Sequence, residues 1–344
     1  MDINYKQKYL KYKFKYLQLQ QQGGKETNTV NSVLVTHNGR IRCLLDTMGV
    51  PASETITDKK GKEKKEEIRF MNCAILLLRI TKDGFTISLE HEGELAKDSI
   101  EKAEKEKRKY YAISSQGTIY TTFKGTGTLS KPLSLLQLTP DQIGDNTYNF
   151  YIVRHGDGVH NSMGIWKKIT SSEVTDAELT PDGVKQAAKA QAFLKDIKVD
   201  NWYVSDLKRT RQTLGELIED RTDIKGKLVV VLPCAEELVY IKGNNCDARQ
   251  GKNSALSFKK IKSALSYENK ALCPDEKKKC DSLNDEQREK DICCTVNGLT
   301  IDWSFYHTFY GEGTRMKEGK NSQKCKDTNM IKQAFEHMKS ISKD

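Results

Sequence analysis

From Phe150 onward the chain alternates between two periodicities, and that alternation limits its fold more than any other feature. Phe150 to Val153 is an apolar run of strand length. Leu179 to Lys195 follows at helical spacing, with Thr180 as N-cap and Pro181 at the first helical position. Asn201 to Val204 reads again as a strand, Leu207 to Ile218 as a helix and Lys227 to Leu232 as a strand. Strands alternating with helices predict an α/β chain built on a mostly parallel sheet. In such sheets, sites form beyond the carboxyl ends of the strands.

The N-terminal part repeats the pattern once. Residues 31–37 form an apolar strand, and 40–49 a helix carrying Ile41, Leu44, Leu45 and Met48 that closes at Gly49. A charged loop is expected over 53–68. Phe70 to Ile80 reads as a buried strand, Asp83-Gly84 as a hairpin turn, and Thr86 to His91 as its alternating partner strand. Residues 97–110 form a charged helical connector, and 112–147 give no element. Residues 241–328 look like an insertion, and Met330 to Met338 is helical.

The first residues stand apart. Tyr5, Tyr9, Tyr12 and Tyr16 share one helical face beside Lys8, Lys11 and Lys15, and Gly23-Gly24 follows. This predicts a basic amphipathic leader helix over residues 1–24. Its lysine–tyrosine pattern resembles leaders of giant-virus proteins of the mimivirus group. That resemblance implies a viral origin and an intracellular place of action: host cytoplasm, viral factory or virion.

Composition narrows the partners. The chain of 344 residues holds 57 Lys plus Arg against 47 acidic residues, a net charge of +10. The excess favours anionic partners in general, phosphates included. A nucleic-acid role rests on this charge alone and ranks last. No apolar run is long enough for a membrane span, and no secretory signal opens the chain. Of nine cysteines, Cys43, Cys73 and Cys234 fall in apolar stretches and should be buried. The other six lie in 241–328, without a CxxC pair that would suggest zinc. Disulfides are not expected in a reducing cytosol; an oxidising viral or organellar setting would change that.

Two of the predicted strands end in histidine: Val33-Leu34-Val35-Thr36-His37 and Tyr151-Ile152-Val153-Arg154-His155. Both imidazoles therefore belong at the carboxyl edge of the sheet. A neutral imidazole, with an ordinary pKa near ~6.5, can attack phosphorus at cellular pH. The reaction also needs cations on the phosphoryl oxygens and an acid for the leaving oxygen.

The residues around these histidines resemble the histidine phosphatase (phosphoglycerate-mutase-like) superfamily. Arg154-His155-Gly156 with Asn161 resembles its RHGxxxxN pattern. Leu179-Thr180-Pro181-Asp182-Gly183 with Gln186-Ala187 resembles its LTxxGxxQA helix start. Ser205-Asp206-Leu207-Lys208-Arg209 with Gln212-Thr213 resembles its SxLxRxxQT segment. His37, followed by Arg42 and Leu44, resembles the family's second histidine and its helix, although Asn38 stands where the family usually has Gly.

The resemblance implies a phosphoglycerate-mutase-like three-layer α/β/α sandwich. It implies a nucleophile in His155, with His37, Arg154, Arg209, Asn161 and Gly156 holding the phosphoryl group. Gly156 would let phosphate approach the backbone. Glu237 is favoured over Glu236 as the proton donor. No metal or cofactor is implied, because protein cations carry the charge. Arg211 reads as a surface cation. His160 either lines the pocket or is structural, and His307 packs inside the insertion.

The order of these motifs departs from the family, where the His155-type strand comes first. It implies a circular permutation. Residues 30–95 would be the family's C-terminal half, 96–147 a connector, 148–240 its N-terminal half, 241–328 a cap-like insertion and 329–344 the last helix of a domain spanning 27–344. Asp344 and the Val30 region should then lie close together. The activity implied is a phosphatase acting on a phosphorylated small molecule or phosphoprotein. A phosphoglycerate-type mutase, or a non-catalytic viral scaffold that keeps the fold, are the competing readings.

Overall fold

The computed structural model describes residues 28–50, 53–57, 61, 63–67, 69–95, 128–162, 177–224, 227–237, 295–296, 299–302, 305 and 328–341. The leader helix, the charged connector helix, Asp344, His307 and most of 241–328 lie outside the described residues. Among those described, no helix is long and apolar enough to cross a membrane.

The described residues form a mixed α/β fold with helices on both faces of one nine-stranded sheet. Its strands are β1 (Thr29–Thr36), β4 (Ile75–Thr81), β5 (Gly84–His91), β6 (Leu129–Lys131), β7 (Thr147–Arg154), β8 (Asn201–Val204), β9 (Leu228–Val231), β10 (Thr295–Val296) and β11 (Leu299–Asp302). The order across the sheet is β10-β11-β9-β8-β1-β7-β4-β5-β6. The centre, from β11 to β7, is parallel, and antiparallel strands extend both edges. This is the architecture of a phosphoglycerate-mutase-like sandwich.

β1 shows why the centre is stable. Strand side chains alternate between faces. Leu34 enters a core with α1 (Asn38–Thr47) and α6 (Met330–Ile341). Val33 and Val35 enter the opposite core with α4 (Pro181–Leu194) and α5 (Lys208–Ile218). All three are fully buried. Each contributes about 1.5–3 kcal/mol of apolar burial. A run apolar on both faces is therefore what a doubly covered parallel strand requires.

Local signals act as expected in α4. Thr180 is its N-cap, accepts a hydrogen bond from Gly183 N–H and precedes Pro181 in the first turn. β4 and β5 form the expected hairpin, with Gly84 at its turn in a positive-φ conformation, 150°. α1 is left at Gly49, whose φ of 65° suits a residue without Cβ.

Several expectations need correction. The segment expected to be a charged loop over 53–68 contains an antiparallel hairpin, β2 (Ser53–Thr57) with β3 (Glu63–Glu67). Backbone pairing makes this ladder, so a run of Lys and Glu with no apolar alternation hides it. Residues 112–147, which gave no element, contribute β6, a 3-10 turn at Leu133–Leu136, the short α2 (Pro140–Ile143) and the start of β7. Leu299–Asp302, counted with the insertion, pairs parallel to β9 in the main sheet. Cys234 is disulfide-bonded and Cys43 is only half-buried. The expectation against disulfides rested on compartment, which says nothing about the geometry of a given pair.

Candidate active site

Four parallel strands deliver the site. β1 lies between β7 and β8, with Thr36 opposite Arg154 and Val35 opposite Val204. The next residue on each strand is therefore brought to one edge. His155 N–H donates to the Thr36 carbonyl at 3.0 Å, Ser205 N–H to Val35 at 3.1 Å and Leu232 N–H to Val204 at 2.9 Å. This stagger sets His37, His155, Ser205 and the turn Leu232–Glu237 side by side. The two imidazole centroids are 5.0 Å apart at an interplanar angle of 61°.

His155 is buried, and both of its ring nitrogens are engaged. Nδ1 lies 2.6 Å from the Gly156 carbonyl oxygen, which can only accept, so Nδ1 carries the proton. Nε2 is then the lone-pair nitrogen, and Arg209 Nε donates to it at 3.2 Å. Burial, then the charges of Arg209 and Arg154, hold the His155 pKa well below the usual histidine value; the Gly156 carbonyl opposes this. The ring is thus kept neutral, with its lone pair on Nε2 facing Arg209.

Arg209 is 1% exposed, in the first turn of α5. Its Nη2 lies 3.9 Å from Glu237 Oε2. Glu237 Oε2 also lies 3.6 Å from His37 Nδ1. Arg154 donates to the Phe70 carbonyl, whose own N–H is held by Asn38 Oδ1 at 2.8 Å. Asn38 therefore anchors the segment that holds Arg154, a use that a glycine could not serve.

The remaining residues form the shell. Asn161, on the short α3 (Val159–Ser162), donates to Asp157 Oδ1 at 2.8 Å. Asp157 also accepts from Thr180 Oγ1, and its N–H donates to Gln186 Oε1 at 2.8 Å. Gly156 N–H donates to Thr213 Oγ1 at 2.9 Å. A Cβ on Gly156 would meet the Gly183 carbonyl oxygen at 2.5 Å. The bare backbone there lets the start of α4 close on the loop after β7. The His160 ring lies 6.0 Å from that of His155.

The structure brings together His155, His37, Arg209 and Glu237, and sets Arg154, Asn161 and His160 around them. Glu236 is buried, and its carbonyl accepts from Arg40 Nε at 2.9 Å. Arg211 corrects an expectation: it is buried, not a surface cation, and its Nε donates to the Asp206 carbonyl at 3.2 Å. Arg40 and Asp157 were not singled out from sequence. Arg40 lies one helical turn past His37, and Asp157 directly follows Gly156, so adjacency was the available signal.

His37, His155 and Glu237 offer ligand atoms all within 4.8 Å of one another. Arg209 lies at hydrogen-bond distance from one of these and close to another, so a metal cation would face a buried positive charge. The buried Arg209 guanidinium beside His155 suits an anion instead.

Two imidazoles, a guanidinium and a carboxyl thus meet at the carboxyl edge of a parallel α/β sheet. Residues 150–230, which carry His155, Asn161 and Arg209, match the model of the histidine phosphatase superfamily (branch 1). Fructose-2,6-bisphosphatase TIGAR of Bos taurus is 41% identical over 68 residues, 20% of this chain and 24% of that protein. Its Mus musculus counterpart is 35% identical over 68 residues. The matched segment thus spans about a quarter of the length of these relatives, 24% in each. No solved structure matches significantly. Together the matches support a histidine phosphatase superfamily domain around residues 150–230.

Proposed function

We propose that the chain hydrolyses a phosphomonoester through a phosphohistidine on His155. The observation that carries this reading is the held neutral ring: Nδ1 against the Gly156 carbonyl and Nε2 against Arg209. Nε2 attacks phosphorus in line. Arg209, Arg154, Asn161 and His37 take up phosphoryl charge. Glu237 protonates the leaving oxygen, and water then attacks the phosphohistidine. The substrate is a phosphorylated small molecule or a phosphoprotein. The segment similarity to fructose-2,6-bisphosphatases makes a sugar bisphosphate the first to test.

We also propose that the domain is a circular permutation. The strand carrying His37 precedes the one carrying His155, yet the two are neighbours in register. Asn201 Nδ2 lies 3.3 Å from Ser32 Oγ on β1 and 3.5 Å from Met338 Sδ on α6. That proximity supports a short join between α6 and β1 in an unpermuted relative. An intracellular place of action, viral by the leader pattern, belongs to the same proposal.

The test is turnover of the purified chain on p-nitrophenyl phosphate and a panel of sugar, glycerate and nucleotide phosphates, with and without a chelator. Wild type should turn over in chelator, form an acid-labile phosphoenzyme and release phosphate to water. His155→Ala should lose at least about 10⁴-fold. Wild-type turnover no better than that of His155→Ala would favour a non-catalytic scaffold. Transfer of the phosphoryl group to a phosphoglycerate would favour a mutase.

A further inference from the structure

We infer that Thr213 is a positioning residue: its hydroxyl closes a ring of hydrogen bonds that keeps the His155 imidazole in register with the Arg209 guanidinium. The kinetic consequence rests on the phosphohistidine reading; the ring of bonds does not.

The loop after β7 holds the nucleophile through its backbone. His155 N–H donates to the Thr36 carbonyl at 3.0 Å. The peptide between His155 and Gly156 is gripped at both edges. Asn72 Nδ2 donates to its carbonyl oxygen at 3.2 Å, and its N–H donates to Thr213 Oγ1 at 2.9 Å. The next peptide is held in the same way. Its carbonyl, that of Gly156, accepts from His155 Nδ1 at 2.6 Å, and its N–H, that of Asp157, donates to Gln186 Oε1 at 2.8 Å. Asn72, Gln186 and Thr213 are all buried. Gly156 has no side chain to lock it, and a Cβ there would meet the Gly183 carbonyl oxygen. Hydrogen bonds therefore fix this residue where side-chain packing cannot.

The grip from Thr213 is the one that reaches the other half of the site. Thr213 lies on α5, four residues after Arg209, and its Oγ1 donates to the Arg209 carbonyl at 2.8 Å. A hydroxyl has one proton. That proton goes to the carbonyl, which can only accept. The oxygen lone pair takes Gly156 N–H, which can only donate. Arg209 Nε, which also can only donate, closes the circuit on His155 Nε2 at 3.2 Å. Four bonds thus run in one sense: His155 Nδ1–H to Gly156, Gly156 N–H to Thr213, Thr213 O–H to Arg209, and Arg209 Nε–H back to His155. Bonds in such a chain polarise one another.

The circuit ties the tautomer of the ring to its position. The Gly156 carbonyl stays on Nδ1 while the loop is held, and Thr213 holds the loop from the helix that carries Arg209. When a phosphoryl oxygen takes over the Arg209 donor, Nε2 is left with its lone pair toward phosphorus and the ring is still held at Nδ1. A helix threonine that bonds only to the carbonyl four residues back would do none of this. The contact with Gly156 is what sets Thr213 apart.

The experiment removes the hydroxyl of the full chain and keeps the side-chain shape. Imidazole ¹⁵N–¹H spectra of wild type should show His155 protonated on Nδ1 alone, and those of Thr213→Val should show both tautomers. The kcat on p-nitrophenyl phosphate should fall about 10²-fold in Thr213→Val, as for a small misplacement of a reacting group, with KM changed at most a few-fold. Thr213→Ser should restore both readouts. Asn72→Ala frees the opposite edge of the same peptide, should act in the same direction, and carries the test if Thr213→Val does not fold. A wild-type His155 protonated on Nε2, a variant that keeps Nδ1–H alone, or a Thr213→Ser no better than Thr213→Val would overturn the inference. Loss of the tautomer with kcat unchanged, or a wild type without turnover whose tautomer still responds to Thr213→Val, supports the circuit and overturns the phosphohistidine reading instead.

Discussion

His155 and His37 end neighbouring parallel strands with their rings 5.0 Å apart, yet their surroundings are opposite in kind. His155 faces guanidinium groups and one carbonyl, and burial beside those cations favours its neutral form. His37 faces a hydroxyl backed by one acid and, on its other nitrogen, a second acid. Both environments come from the same strand end. The turn from β8 into α5 supplies Arg209 to one ring and Ser205 to the other. The proposed division of labour therefore depends less on the histidines than on the register that sets β8 beside β1.

Arg209 offers the sharpest way to break the comparison, because it touches both sides. Its Nε holds His155, and its Nη2 approaches Glu237. Arg209→Lys keeps the charge but loses the planar fork and the Nε donor. Steady-state kinetics should show kcat down by about 10²–10³-fold, as for loss of one preorganised donor. KM should change less. A kcat within a few-fold of wild type would mean that positive charge alone distinguishes the two histidines.

The next effect separates them by pH. Burial and the neighbouring cations put the folded pKa of His155 below its unfolded value near ~6.5. Its stabilising contribution is therefore fully present above that value. It is lost as pH falls from there through the lower, folded value, because between the two only the unfolded chain takes up the proton. Urea unfolding at stepped pH should show stability declining below about pH 6.5, and His155→Asn should flatten that part of the profile. Each unit of depression is worth about 1.4 kcal/mol. The acid limb of kcat/KM assigned to His155 should likewise lie well below 6.5. Titration of His155 at an ordinary histidine pKa, read by imidazole NMR, would remove the contrast with His37.

The parallel centre was legible because a strand covered on both faces must be apolar throughout. Helix signals such as Thr180-Pro181 act locally, so they could be read before the fold was known. The edges were not legible in the same way. β2 and β3 pair through backbone, and Leu299–Asp302 is a four-residue strand beside β9 at one end of the sheet. The site divides along the same line. His155, Arg209 and Asn161 stand in one stretch with recognisable spacing. The buried Arg211 and the Ser205–Asp206 pair behind His37 depend on which strands are neighbours, and spacing along the chain does not carry that. Glu237 is intermediate: its slot after β9 was readable and it was preferred to Glu236 there, but its approach to His37 Nδ1 depends on which strands are neighbours.

The smallest effect concerns helix capping, which also distinguishes the two sides. α1 begins at His37 with no side-chain cap hydrogen bond, whereas α4 is capped by Thr180. Thr180 Oγ1 accepts from Gly183 N–H at 3.0 Å and donates to Asp157 Oδ2 at 3.0 Å. Asp157 in turn holds Asn161, on the short α3 that follows His155. Thr180→Ala should cost about 1 kcal/mol in urea unfolding, the usual worth of an N-cap. It should also loosen Asn161 and so raise KM a few-fold. The imidazole signals of His37 should stay where they are, because among the described residues no hydrogen bond of Thr180, Asp157 or Asn161 reaches β1. A shift at His37 as large as that at His155 would mean that the two strand ends behave as one unit, and that the opposition between them is imposed elsewhere.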